Sequence, residues 1–67
     1  MVAYTEYAVE VNNTQGFVKQ IDVFKTYEEA EEFVNNYDGT LVWDEYLNII
    51  FIDYNENGDE IAFGTVC

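Results

Sequence analysis

The sequence lacks proline, histidine and arginine, and it contains one cysteine, Cys67, and two lysines, Lys19 and Lys25. A single cysteine permits no intramolecular disulfide and no multi-cysteine metal site, which suits a reducing compartment. The longest aliphatic and aromatic run, residues 49–52, is far shorter than the ~20 residues of a membrane span. The first residues also lack the basic and apolar segments of a secretory signal. These absences predict a cytoplasmic protein without a membrane segment.

The missing histidine and arginine also argue against catalysis. The roles of general base, nucleophile and oxyanion stabiliser would fall to carboxylates, two lysines, hydroxyls and backbone amides. Paired carboxylates can serve glycoside hydrolysis, but a chain of 67 residues offers little volume for a closed pocket. Cys67 is the terminal residue and has no basic neighbour, so we interpret it as incidental rather than reactive. We expect no enzymatic activity and no cofactor.

Negative charge is the dominant feature that is present. Fourteen Asp and Glu residues oppose the two lysines, and the formal net charge is −12. Such an excess destabilises a compact state through self-repulsion, and it exceeds the magnitude of about 2–8 used for solubility in small designed domains. Direct binding to DNA, RNA or an anionic membrane needs Lys and Arg to neutralise phosphates. The composition therefore predicts a basic protein as the partner, with no direct contact to nucleic acid or membrane.

The chain length indicates one domain, residues 1–67, which buries only about 60% of the surface that its unfolded form exposes. Five Phe, six Tyr and one Trp compensate for this small size, because each aromatic ring buries on the order of 150–250 Å². The sequence therefore predicts a folded domain rather than a disordered chain.

Two alternating segments open the chain. Apolar and polar residues alternate over residues 2–11 and again over residues 17–24, as in half-buried strands. The residues between them, 12–16, are rich in turn formers. This pattern predicts a β-hairpin.

The hydrophobic period then becomes helical. Thr26 followed by Glu29 matches a capping box, which predicts that a helix begins there. Gly39 predicts a left-handed stop at its end. The apolar residues between these signals follow helical spacing, and they are Tyr27, Ala30, Phe33, Val34 and Tyr37.

Three further strands are predicted after the helix, at residues 40–44, 48–54 and 61–66. The second of these is apolar on both faces, as in a central strand, and Asn57 with Gly58 predicts a type I′ turn before the third. The element order is β-β-α-β-β-β. It predicts an α+β fold in which an antiparallel sheet of four to five strands has one helix packed on a face.

Acidic side chains are concentrated on the predicted helix and just after it. Glu28 and Glu29 lie in the first turn, where the helix dipole favours anions. Glu28, Glu31 and Glu32 instead form like-charged pairs, each costing about 0.2–0.5 kcal/mol. Such a run is usually a solvated helix face, but the scarcity of basic residues favours a role in binding. The candidate partner-binding carboxylates are Glu28, Glu29, Glu31, Glu32, Asp38, Asp44 and Glu45.

Aromatic residues are interspersed with the later carboxylates. Most Tyr residues of a small domain are half-buried core residues whose hydroxyl reaches water. Tyr and Trp are also enriched at the cores of protein interfaces, so we predict an apolar anchor beside a charged rim. The candidate anchors are Tyr37, Trp43 and Tyr46.

Residues 53–58 match the first half of an EF-hand loop, in which the oxygens of Asp53, Asn55 and Asn57 converge and Gly58 permits a sharp turn. The second half does not match, because Gly64 stands where a bidentate Glu is needed. A hairpin tip with clustered carboxylates explains these residues without a metal, and we expect no metal site. A calcium-stabilised module is one alternative for the class of function.

Carboxylates on a rigid scaffold can stand in for phosphates. Helical residues four apart lie about 5–6 Å from each other, a scale similar to the spacing of DNA phosphates, which rise about 3.4 Å along the axis per nucleotide. By size and acidic composition over the whole chain, this protein resembles small phage proteins that block host defence, including anti-CRISPR and anti-restriction inhibitors. Many of those are short acidic DNA mimics. Acidic tails, antitoxins and sigma-factor-binding proteins share the same charge bias.

The sequence thus favours a non-enzymatic inhibitor that binds a basic, nucleic-acid-binding surface of a partner, such as a nuclease or a defence complex, by mimicking phosphates. The alternative is a small acidic interaction or structural module whose charge mainly maintains solubility. We expect a monomer or a homodimer, and a dimer would complete its core through a sheet edge.

Overall fold

The computed structural model describes residues 1–66, so the prediction for Cys67 lies outside the described residues. All strand pairings are antiparallel, in the order β2-β1-β3-β4. The described chain is α+β, with a four-stranded antiparallel sheet and one helix. The elements are β1 (Tyr4–Asn13), β2 (Gly16–Phe24), α1 (Tyr27–Asn35), β3 (Tyr46–Tyr54) and β4 (Glu60–Thr65).

The prediction of a strand at residues 40–44 is wrong, because this segment belongs to a loop between α1 and β3. The loop closes on itself through two reciprocal hydrogen bonds. The backbone N–H of Glu45 donates to the carbonyl of Val42 at 2.9 Å, and the N–H of Val42 donates to the Glu45 carboxylate at 3.1 Å. These backbone groups are satisfied locally, so they are not available to a strand ladder.

The Thr26 cap is confirmed. Its hydroxyl accepts a hydrogen bond from the Glu29 N–H at 3.2 Å and donates one to the Glu29 carboxylate at 3.1 Å. The predicted stop at Gly39 is wrong, since α1 ends at Asn35 and Gly39 does not have a positive φ.

Within residues 1–66, no helix has the length and apolar character needed to cross a membrane.

The hairpin between β3 and β4 is confirmed, but its type I′ turn is not. Gly58 has a φ of +82°, whereas Asn57 does not have a positive φ, which a type I′ turn would require. The N–H of Gly58 donates to the carbonyl of Asn55 at 3.0 Å, and the Asn55 side-chain oxygen accepts from the N–H groups of Asn57 and Asp59. The Asn55 side chain therefore fixes the connection over residues 55–59, which contains the left-handed Gly58.

The main hydrophobic cluster lies between α1 and one face of the two central strands. Ala30 of α1 packs with Val9 of β1 and Ile49 of β3, and all three are buried. Successive strand residues point to opposite faces, so the even-numbered side chains of β1 and β3 point away from α1. The half-buried residues packed around this cluster are Tyr7, Phe24, Tyr27, Phe33, Val34, Leu47 and Val66.

Candidate partner-binding surface

The solvent-facing side of α1 is anionic over residues 28–32. Ala30 is buried against the sheet, which turns the remaining helix surface toward solvent. The last turn of α1 contains no basic residue. The four glutamates of the helix, Glu28, Glu29, Glu31 and Glu32, are all exposed.

A groove of about 550 Å³ lies along one side of α1, where β2 ends. Glu29, Glu32, Phe33 and Asn36 occupy helical positions three and four apart, which places them on one flank of α1. We call this feature the acidic-aromatic groove. Its lining consists of Phe24, Glu29, Glu32, Phe33, Asn36, Tyr37 and Asp38.

Three aromatic rings pack in series within the groove. The ring centroids of Phe24 and Phe33 are 5.4 Å apart, and those of Phe33 and Tyr37 are 5.8 Å apart. Both pairs are tilted and lie within the range in which aromatic rings attract each other. Gly39 makes room for this arrangement, because the Tyr37 ring occupies the space that a Cβ at Gly39 would need. The apolar part of the groove is therefore held in place by ring-to-ring packing.

The loop after α1 presents a second apolar feature. Trp43 is 94% exposed, and its neighbours Val42 and Tyr46 are also exposed. The carboxylate of Glu45 is engaged with the Val42 N–H, so it stabilises the loop. Trp43 thus projects into solvent from a turn that is closed by hydrogen bonds.

The structure divides the predicted binding residues into three groups. Glu29, Glu32, Tyr37 and Asp38 meet in the acidic-aromatic groove. Glu28 and Glu31 lie on the exposed surface of α1 outside the groove lining, where the Tyr27 hydroxyl donates to the Glu31 carboxylate at 3.1 Å. The remaining four belong to the loop and the start of β3, and they are Trp43, Asp44, Glu45 and Tyr46.

Three groove residues were not among the predicted binding residues, and they are Phe24, Phe33 and Asn36. Phe33 follows the apolar helical spacing of α1, and the same spacing places it beside Glu29 and Asn36. For Phe24 no local signal exists, because it reaches the groove only where the end of β2 packs against α1.

The face of the sheet opposite α1 carries a separate apolar surface. Phe63 is 70% exposed and Phe17 is 63% exposed, and they border a shallow concavity of about 320 Å³ that also includes Glu10, Asn12 and Ile50. Partial burial raises the pKa of Glu10 above its ordinary value of 4.5. The side-chain oxygen of Asn12 is buried without a hydrogen-bond partner among the described residues. We call this surface the open sheet face.

Two of the three side chains that supply oxygens in the EF-hand-like segment, Asp53 and Asn55, accept hydrogen bonds from protein groups. The Asp53 carboxylate accepts from the Thr5 hydroxyl at 2.6 Å, and the Asn55 side-chain oxygen closes the hairpin loop. Over residues 1–66, no group of three or more His, Cys, Asp or Glu side chains is placed to hold a metal ion.

No protein-family model matches this chain, and neither a curated protein nor a solved structure matches it. The functional proposals below therefore depend on the residues and geometry of this chain alone.

Proposed function

We propose that this protein is a non-enzymatic inhibitor that binds a basic, nucleic-acid-binding surface of a partner protein, with its carboxylates in the place of phosphates. The proposal depends mainly on one observation. Four exposed glutamates line a single capped helix in a chain with a net charge of −12. These like charges destabilise the free helix, and a cationic partner would relieve their repulsion.

The helical scaffold supports phosphate mimicry because it fixes the distances between charges. Glu28 and Glu32 are four residues apart, a spacing of about 5–6 Å between Cβ atoms. The Thr26 cap holds the first turn of this helix. The negative field of the whole chain also accelerates the approach to a positive cleft at low salt.

Trp43 supplies an apolar contact on the loop after α1. A Trp that is 94% exposed on a closed turn can bury a large area without a change in the backbone. Trp is among the residues that contribute most to binding energy at interfaces. In this proposal the carboxylates provide steering and specificity, and Trp43 provides an anchor.

The test uses a partner captured from the cells that contain this protein and then purified. We expect its affinity for the protein to fall at least about tenfold between about 50 mM and about 200 mM salt. A short DNA duplex in excess should displace the protein. Salt-insensitive binding that allows nucleic acid to bind at the same time would contradict the proposal.

A matched pair of variants separates the helix from general charge. The first variant carries Glu28→Lys, Glu31→Lys and Glu32→Lys on α1. The control replaces three carboxylates in or beside the connection between β3 and β4. It carries Glu56→Lys, Asp59→Lys and Glu60→Lys. The two variants have the same net charge, and we expect the helix variant to lose far more affinity.

The exposed Phe63 and Phe17 favour a second candidate function, that of a small acidic interaction or structural module whose charge mainly maintains solubility. In this case the open sheet face, or the free edges of β2 and β4, would carry the contact. Partner binding would then survive the charge reversals on α1.

A further inference from the structure

We propose that the acidic-aromatic groove receives an arginine side chain of the partner protein. This inference rests on the proposed function, and it specifies the chemical group that the groove recognises. The groove combines aromatic rings with the carboxylates of Glu29, Glu32 and Asp38, and its lining contains no basic residue. An occupant that contacts both the carboxylates and the aromatic rings must be cationic and must also have a flat apolar surface.

A guanidinium group has both properties. It is planar, permanently charged and weakly hydrated, and it stacks on aromatic faces while its N–H groups reach carboxylates. Phe33 and Tyr37 supply rings for stacking, and Glu29 and Glu32 supply acceptors on the same flank of α1. A lysine ammonium is a strongly hydrated point charge, so it would use the carboxylates but gain less from the rings.

The composition of this chain excludes a second copy as the source of that arginine, because the sequence contains none. A nucleic acid is disfavoured by its own negative charge. Proteins that bind phosphates, in contrast, use arginine widely for that purpose. The basic partner of the proposed function is therefore the source that fits the charge of the groove.

Capped tripeptides test the groove directly. The probes are Gly-Arg-Gly, Gly-Lys-Gly and the neutral isostere Gly-citrulline-Gly, each titrated into the full chain and followed by NMR. We expect saturable shifts of the Phe33 and Tyr37 ring protons with the arginine peptide. Binding of the lysine peptide should be at least about threefold weaker, and the citrulline peptide should cause no shift. Equal responses to arginine and lysine, spread over all carboxylates, would overturn the proposal.

Paired variants of α1 test the same groove against the purified partner. Glu29→Gln with Glu32→Gln removes two charges from the groove. Glu28→Gln with Glu31→Gln removes two charges from the same helix outside the groove lining. Glutamine keeps the size of the side chain, and at position 29 it still serves a capping box. Melting curves verify that both variants fold.

We expect the groove pair to weaken partner binding about tenfold, through the loss of charge-assisted hydrogen bonds, and the outer pair to weaken it less than about threefold. Equal losses of affinity from the two pairs would overturn the proposal that the groove receives an arginine. They would leave the proposed function unaffected. If neither pair alters partner binding and binding is also insensitive to salt, the proposed function itself fails.

Discussion

At the scale of single residues, Gly39 shapes the groove by having no side chain. The Tyr37 ring lies where a Cβ at Gly39 would be, and from there it packs against Phe33 at 5.8 Å. Tyr37 is also a wall of the acidic-aromatic groove. The geometry of the acidic-aromatic groove therefore depends on a residue that contributes no group to it.

The substitution Gly39→Ala should displace the Tyr37 ring and disturb its contact with Phe33. We expect a loss of about 1 kcal/mol in the free energy of unfolding, the low end for overpacking because the outer end of the Tyr37 ring can shift, measured by urea denaturation. In the Tyr37→Ala background the same substitution should cost much less, because the clashing ring is absent. Additive losses in this double-mutant cycle would show that Gly39 acts in another way.

At the scale of elements, α1 carries four of the ten candidate partner-binding residues within its nine residues. Isolated helices shorter than about 12–15 residues are marginal in water. The helix therefore depends on the burial of Ala30 against β1 and β3 and on the Thr26 cap. The glutamates that we propose contact the partner also repel one another, which makes these two supports more important.

The substitution Thr26→Ala removes the hydroxyl that accepts the Glu29 N–H. We expect a loss of about 0.5–2 kcal/mol in the free energy of unfolding, seen as a lower melting temperature. Thr26→Ser retains the hydroxyl and is the matched control, which should stay close to the parent protein. An equal loss in both variants would mean that the hydroxyl does not stabilise α1.

At the scale of the whole molecule, the net charge opposes self-association, whereas the open sheet face favours it. Two copies with a net charge of −12 repel each other, whereas Phe63 and Phe17 offer apolar area for association. The repulsion is screened beyond about 10 Å at 0.1 M ionic strength. Added salt therefore shifts the balance toward the apolar contact.

We expect sedimentation equilibrium to give a monomer at both about 50 mM and about 200 mM salt, because a shallow concavity that includes the Glu10 carboxylate is a poor homodimer surface. A dimer that forms as salt increases and dissociates in the Phe63→Ser variant would contradict this expectation. That result would favour the second candidate function. Val18→Ser, which replaces another exposed apolar residue, is the control for the Phe63→Ser variant.

Much of the fold could be predicted from local pattern. The strands, the Thr26 cap and both hairpins follow from alternation and turn chemistry within a few residues of each signal. Two of the errors occurred where a neighbouring group overrode the local signal. Glu45 closed a loop at a predicted strand, and the Asn55 side chain set the hairpin loop in place of a type I′ turn.

The sequence by itself determined the charge of this protein and the acidic face of its helix, because these depend on composition and on spacing along one element, and the class of partner stays a prediction. Only the tertiary structure decided which of the acidic and aromatic residues meet. Phe24 joins Phe33 and Tyr37 because the end of β2 packs beside α1. The loop after α1 leaves Trp43 in solvent. Contacts between residues distant in the chain form only when the whole sheet and helix pack together, and no local pattern encodes them.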